Sequence, residues 1–538
     1  MRGTLFTSGR FYTQDPARPQ VEALAVSSGR IVALGSTSEL VATFSTFTRV
    51  DLGGGPVLPG FVDSHIHLAG YGMSLRRVNL GDAHSLAEAV ERVRTAVQRE
   101  TPGSWIRGRG WDKNLWPEDR FPTKADLDPI SPHHPVALSS KDGHLLWVNS
   151  AALRKAGIDR RTPDPRGGEI TRDAPGEPTG ILKELAKELV WKAVPPASPE
   201  VIEQGIRDAT TALHRYGIVG VHSFVGTEAY EGPPTFAALQ RLHGRGELKL
   251  RVWMTIPVNA LDLVAGSGLR TGFGNDWVRV GPLKIFADGT LGSQTASMLG
   301  PFDGQLQNTG IAIFTREQLT DFVGRAVAAG LWCAIHAIGD RANRWALDAY
   351  EAHHTDSQRI GARHRIEHVQ LLHPDDLPRL ARLGITASMQ PIHCTSDRDI
   401  AERYWGRRSR YAYAWRSLLD AGTVLAFGSD APVETPDVFQ GIYAAVTRLR
   451  SAEPDVPAWY PEEALSVAEA VRAYTVGAAF ASGEEAKRGT LGEGRWANFV
   501  VLDRDILRVP PAEILHTRVV ATVIGGEVVY AAPEFRSF

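Results

Sequence analysis

The sequence predicts an α/β protein. Its centre is a (β/α)8, TIM-like barrel with an insertion after the first strand, and a small β-sandwich is assembled from both chain ends. Three observations lead there. In the second half of the chain, "LHRYG" runs into "IVGVHSF", "AVAAG" into "LWCAIHA", "LARLG" into "ITASMQ" and "LLDAG" into "TVLAFGSD". Each is an amphipathic helix end, a glycine able to take the left-handed cap, and a short apolar strand. Alternation of this kind implies parallel strands joined by crossover helices. The other two observations are the strand count and the character of the chain ends.

Nine strand candidates fall at 57–63, 136–140, 218–223, 250–256, 282–287, 331–336, 364–368, 385–389 and 423–428. The second, "PVALSS", lies within roughly 75–200, a stretch crowded with prolines, tryptophans and charges, and is assigned to the insertion. Eight strands remain for the barrel. The helix before "LHRYG" shows the expected period, with Val201, Ile202, Ile206, Ala209 and Leu213 on one face. The ends differ: "EALAVSSGRIVALG", "ANFVVLDRD" and "VVATVIGGEVVYA" are β-branched runs separated by glycine turns. The expected organisation is therefore residues 1–57 and 485–538 forming the sandwich and 58–484 the barrel.

Composition narrows the partners. The 538 residues are 43% apolar and 22% charged, normal for a soluble globular chain with a real core. A net charge of −2 offers no field for nucleic acid or an acidic membrane. No apolar run approaches the ~18 residues that span a bilayer. The N-terminus lacks a signal-peptide core, and two cysteines, Cys333 and Cys394, make no disulfide framework. The expectation is a cytoplasmic protein acting on a small molecule, with no nucleic-acid or membrane partner.

In a barrel of this type chemistry gathers at the C-terminal strand ends. The first strand ends in "DSHIH", where alternation puts His65 and His67 on one face with Asp63 behind them. The fourth gives Lys284 on the face of Phe286 and Asp288, the fifth ends at His336, the sixth at His368 and the eighth at Asp430. Each has an ordinary alternative: a hydrogen-bonded interior histidine, a helix-capping aspartate, a salt-bridged lysine. Four histidines, one aspartate and one lysine at one rim instead suggest a catalytic metal centre. Nitrogen and oxygen ligands suit divalent zinc first, with manganese, iron or nickel behind it.

"PGFVDSHIHL", "LKIFADGTLGSQTA", "IHAIGD", "RIEHVQ" and "FGSDAPV" resemble the motifs of the amidohydrolase superfamily. They are closest to its branch 3, the YtcJ-like metal-dependent hydrolases. "KDGHLLWVNSAAL" and "GGEITRDAPGEPTGILKE" are similar to further segments of that branch, so the resemblance covers nearly the whole chain. It implies two metal ions bridged by Lys284 after carbamylation by carbon dioxide. His65, His67 and Asp430 would hold the more buried ion, and His336 and His368 the more exposed one. Together with the chain's size it implies a homodimer.

The chemistry so implied is hydrolysis of an amide-type, non-peptide C–N bond by a metal-activated hydroxide. Asp430 serves as general base and then general acid. N-acyl or N-substituted amides are the expected substrates. Expected substrate contacts are Trp111, Asp112 and His144 from the insertion, with His222, Asp288 and His393 from the barrel; Trp116 of the insertion is a further candidate to shape the pocket. Three alternatives stand beside this reading: a single-metal deaminase, an ester or carbamate hydrolase, and a silent binding scaffold. A deaminase of the superfamily carries glutamate three residues after the fifth-strand histidine, where this chain has Gly339 and then Asp340. A silent scaffold tends to lose ligands, and all six are present.

Overall fold

The computed structural model describes residues 3–535 except Asn114, Leu115, Asp119, Asp142, His144, Arg166, Gly167, 227–229, Ser293, Ala452, Pro454 and Glu534; of Glu184 it describes the backbone. The chain divides into two compact units, one of Met1–Tyr71 with Ile206–Phe538, the other of Gly72–Gly205.

The larger unit contains an eight-stranded sheet in simple sequential order. Its strands are β1 (Phe61–Ile66), β2 (Ile218–Ser223), β3 (Arg251–Pro257), β4 (Val278–Phe286), β5 (Cys333–Ala337), β6 (Arg365–His368), β7 (Thr386–Met389) and β8 (Leu425–Phe427). Every ladder between neighbours is parallel. All eight expected barrel strands are present. Their apolar runs are buried end to end, as strands covered on both faces must be. The glycines of the helix–strand repeat, Gly217, Gly330, Gly384 and Gly422, all have φ between 67° and 89°. That conformation turns each helix end into the next strand at little cost for a residue without Cβ.

Strands β8 and β1 share no ladder, so the barrel is nearly closed, and the segment after β8 spans the seam. Asp430 N–H donates to His65 O at 2.7 Å, and His67 N–H donates to Ala431 O at 2.9 Å. Below them Asp63 accepts from Ser429 N–H (3.1 Å), from the Ser429 hydroxyl, and from His65 N–H (3.0 Å). The two ends of the chemistry-bearing sequence are thereby sewn together.

The run expected as one strand at 57–63 is two strands. Pro56–Pro59 joins the terminal sheet, pairing with Phe499–Leu502, and β1 begins only at Phe61. Gly60 separates them, where a Cβ would meet Val219 Cγ1 at 2.4 Å. Apolar content alone cannot show this break, because both pieces are buried.

The chain ends form two facing sheets. One, of four strands, uses N-terminal residues only, and the other, of six, mixes both ends. Phe6, Leu24, Val26 and Ile31 from the first share one core with Phe11, Val57, Phe499, Val501 and Val523 from the second. Phe6 and Phe499 meet edge to face at 4.9 Å. This is the small β-sandwich.

The Gly72–Gly205 unit has its own six-stranded mixed sheet, in which Val136–Ser140 is a central strand. Trp111, Trp116 and Trp147 form the middle of its core, with ring centroids 6.1–6.4 Å apart. Among the described residues no helix is long and apolar enough to cross a membrane.

Candidate metal centre

The rim of the larger unit gathers its polar residues as follows. His65 and His67, at and just beyond the end of β1, direct their Nε2 atoms to Asp430 Oδ1 at 3.5 and 3.2 Å. His368 lies against His65 (ring centroids 4.9 Å) and against His336 (4.6 Å). His393, in the first turn of the helix Pro391–Trp405 after β7, brings Nε2 to 3.7 Å from Asp430 Oδ2. Lys284 is fully buried, its ammonium 4.9 Å from the Phe224 ring centroid and 4.6 Å from that of Phe286. His65 stacks on the same Phe224 at 3.8 Å.

Two backbone features aim these groups. Strand alternation puts Arg365 and Glu367 on the barrel-interior face and would send His368 to the other. His368 escapes this with φ of 74°, and Asp430 likewise with φ of 59°. Left-handed backbone at non-glycine residues is uncommon and concentrates at functional sites.

The rim is underpinned by charges that sequence reasoning missed. Glu367 is wholly buried, accepting from His65 Nδ1–H at 2.7 Å and from Arg365 Nε at 2.5 Å. Arg365 also donates to Ser64 O at 2.6 Å and to the Ser388 hydroxyl. His368 Nδ1–H donates to Gln390 Oε1 at 2.8 Å. Each partner fixes a tautomer that leaves Nε2 with its lone pair facing the rim. The signal was in "RIEH": two opposite charges two residues apart inside a buried strand are an ion pair on one face.

Protonation follows from burial and neighbours. Burial pushes His65 down to about 4 and His336 to about 3, so both are neutral bases. Burial likewise lowers Lys284 to about 8. Burial alone would raise Asp430 and Glu367. His67, His65 and His368 nevertheless hold Asp430 well below its usual range, and Arg365 and His65 do the same for Glu367. Neutral imidazoles beside ionised carboxylates are the states that bind divalent metal. His67 differs: burial is outweighed by Asp430 and Glu231, which raise it, so that it must give up a proton to bind one.

A metal also fits the unsatisfied atoms. His393 Nε2 and Asp430 Oδ1 are buried without a hydrogen-bond partner among the described residues, whereas His67 Nδ1, also without one, lies 3.9 Å from Glu231 Oε1 while Nε2 takes the Asp430 side. Among those residues two sets of three donor atoms converge within 4.8 Å, His65–His67–Asp430 and His368–His393–Asp430. Asp430 belongs to both. His336 stands beside them, its Nε2–H donating to Gly289 O at 3.0 Å, and joins neither set.

The remaining expected contacts are placed differently. Asp288 accepts backbone N–H bonds from Ser297 (2.8 Å), Ile338 (3.0 Å) and Gly339 (2.9 Å), which makes it a buried clamp of the loops after β4 and β5. Burial raises its carboxyl to about 7. His222 is wholly buried, with Arg365 Nη1 2.8 Å from Nδ1 and Arg488 Nη2 3.4 Å from Nε2. Trp111 is taken up by the core of its own unit, its indole N–H donating to Leu138 O at 2.8 Å. Asp112 beside it is half-buried, and His144 lies outside the described residues.

A parallel eight-stranded barrel carrying histidines and an aspartate at its strand ends defines a metal-dependent hydrolase. The chain belongs to the amidohydrolase family, whose model matches residues 48–530. It is 34% identical over 529 residues to the Bacillus subtilis (strain 168) amidohydrolase YtcJ, covering 98% of this chain and 99% of that one. It is 29% identical over 551 residues to an N-substituted formamide deformylase of Arthrobacter pascens, covering 98% of each. The crystal structure of an uncharacterized metal-dependent hydrolase from Pyrococcus horikoshii OT3 superposes with a TM-score of 0.79 at 30% identity, over 95% of this chain and 99% of that one.

Proposed function

We propose that this chain hydrolyses a non-peptide amide C–N bond, with an N-acyl or N-substituted amide as substrate. The observation that carries the reading is Asp430, one ionised, buried carboxylate standing between two converging sets of donor atoms. His65, His67 and Asp430 would hold one divalent ion, and His336 and His368 the other, with carbamylated Lys284 joining them. Ions bound there, zinc foremost, polarise a carbonyl oxygen and acidify a water.

The chain's own groups do the rest. Asp430 accepts the proton of the attacking water on its carboxylate and returns it to the departing nitrogen. The return matters because an amide nitrogen leaves poorly unless protonated. Glu367 keeps the His65 proton on Nδ1, so that Nε2 always faces the reaction. Lys284 suits carbamylation: lowered to about 8, it holds roughly a tenth of its amine neutral at pH 7. The carbamate would replace a buried cation among imidazoles by an anion. The Arthrobacter pascens relative, named for deformylating N-substituted formamides, supports a small amide as substrate.

The test is metal content of protein produced with zinc or manganese and bicarbonate, wild type against Lys284→Ala, followed by assay on N-substituted formamides. About two ions per chain, falling sharply in the variant, with amine released from a formamide, is the expected result. One tight ion regardless of Lys284 would remove the bridge, and protein that binds no ion would remove the hydrolytic reading.

A further inference from the structure

We propose that His393 is a ligand of the second metal ion, completing a donor set with His368 and Asp430. The inference rests on the metal-centre reading above and goes beyond it, since neither the strand-end pattern nor the resemblance assigns a ligand to the loop after β7. Four observations converge on it.

His393 is only 8% exposed, yet its Nε2 has no hydrogen-bond partner among the described residues. A buried polar atom left unsatisfied is destabilising, so this nitrogen sits where something else completes it. The helix Pro391–Trp405 begins directly at the end of β7, and its first turn carries the ring over the barrel mouth.

The ring is aimed. It lies nearly parallel to that of His368, with centroids 6.0 Å apart and planes 15° apart. Its Nε2 faces Asp430 Oδ2 at 3.7 Å, while Asp430 Oδ1 faces His65 and His67. The two oxygens of one carboxylate therefore address different donor sets.

The spacing suits one ion. Ligands about 2.1 Å from a tetrahedral zinc ion stand about 3.4 Å apart. The three donor atoms of His368, His393 and Asp430 all lie within 4.8 Å of one another, so a closure of at most about 1.4 Å brings them onto one ion.

His336, the residue expected beside His368, is engaged elsewhere. Its Nε2–H donates to Gly289 O at 3.0 Å and also faces Asp288 Oδ1 at 3.6 Å. With Nε2 so engaged His336 has only its Nδ1 lone pair to offer and joins neither donor set, whereas His393 belongs to the set of His368 and Asp430.

The rival role for His393 is contact with substrate alone, and metal binding separates the two. Chelator-stripped protein is titrated with Co2+ alone, following bound metal by equilibrium dialysis and the cobalt spectrum in the visible. Wild type is compared with His393→Ala and His393→Cys, and circular dichroism of the stripped forms checks folding. Wild type is expected to fill two classes of site. His393→Ala keeps the first and weakens the second by about 100-fold or more, the upper range already reached by losing outer-shell partners. His393→Cys gains a thiolate-to-cobalt charge-transfer band that wild type lacks, which decides the matter even where the alanine variant folds poorly. Wild-type stoichiometry and spectrum in His393→Ala, with no such band in His393→Cys, would overturn the inference while leaving the metal centre intact. Failure of wild type to bind Co2+ at all would overturn the metal centre itself, and this ligand with it.

Discussion

Asp430 holds His65 twice: its backbone N–H donates to His65 O at 2.7 Å, and its carboxylate Oδ1 stands 3.5 Å from His65 Nε2. The first contact belongs to the fold, because it bridges the seam that β1 and β8 leave unladdered. The second belongs to the chemistry. The same residue therefore cannot drift from the His65–His67 donor pair without opening the barrel.

Substitution at Asp430 separates the two roles. With φ of 59°, the position tolerates asparagine, which visits the left-handed region readily, whereas a β-branched residue there costs about 1–2 kcal/mol. Asp430→Asn is expected to keep the wild-type melting temperature of the stripped protein to within a few degrees, while hydrolysis falls by about 10²–10⁴-fold. Asp430→Val is expected to lose both. Thermal melts beside an amide-hydrolysis assay read the split, and an Asn variant with near-wild-type turnover would remove Asp430 as the proton carrier.

Glu367 is the outer support of the first donor set, with Arg365 on one side and His65 on the other, all buried. Glu367→Gln keeps the shape but loses the charge that favours the ligating tautomer. Metal affinity is expected to drop by about 10–100-fold. Glu367→Ala leaves the Arg365 guanidinium buried without its partner and is expected to cost about 3–5 kcal/mol. Denaturant unfolding of stripped protein and zinc titration of the folded variants measure the two effects separately.

Much of this was legible in the sequence because it depends on spacing alone. Helix, glycine and apolar strand recur at regular intervals, so the eight strands could be placed from the chain. The residues closing each strand could be named for the same reason. What stayed hidden depends on contacts between distant segments or on local backbone. Glu367 is unremarkable until Arg365 and His65 enclose it, and the break at Gly60 divides one apolar run between two sheets. His393 was expected as a substrate contact, but its approach to Asp430 stayed hidden because it lies on a helix, beyond the reach of a strand-end rule. Asp288 shares a strand face with Lys284 in the sequence, but three backbone N–H groups from two loops claim its carboxylate.

Trp111 illustrates the reverse error, in which an aromatic cluster suggests a binding surface and turns out to be core. It is 1% exposed and packs on Trp116 and Trp147 within the Gly72–Gly205 unit. Trp111→Ala is expected to destabilise that unit by about 3–5 kcal/mol. Limited proteolysis should then cut within residues 72–205 faster than in wild type. Equal proteolytic resistance with an altered substrate preference would return Trp111 to the active site.

His364 gives the fold a pH dependence of known sign. It is buried at the foot of β6, with Nδ1 accepting from Cys333 N–H at 2.9 Å, Nε2–H donating to the Ser357 hydroxyl at 2.9 Å, and the ring stacked on Tyr350 at 4.7 Å. Burial lowers it from 6.5 to about 3 in the folded chain. Between those values the unfolded chain binds a proton that the folded chain refuses. Its contribution is therefore complete above pH 6.5 and is lost as pH falls toward about 3, at up to about 1.4 kcal/mol per pH unit. His364→Gln removes the titration, so the stability difference between wild type and variant should shrink steadily on acidification. Urea unfolding of both stripped proteins from about pH 7 to about pH 4 measures it, with groups common to both cancelling in the difference. A difference that stays level across that window would mean that His364 is protonated inside the fold, and the Cys333 N–H would then have lost its acceptor.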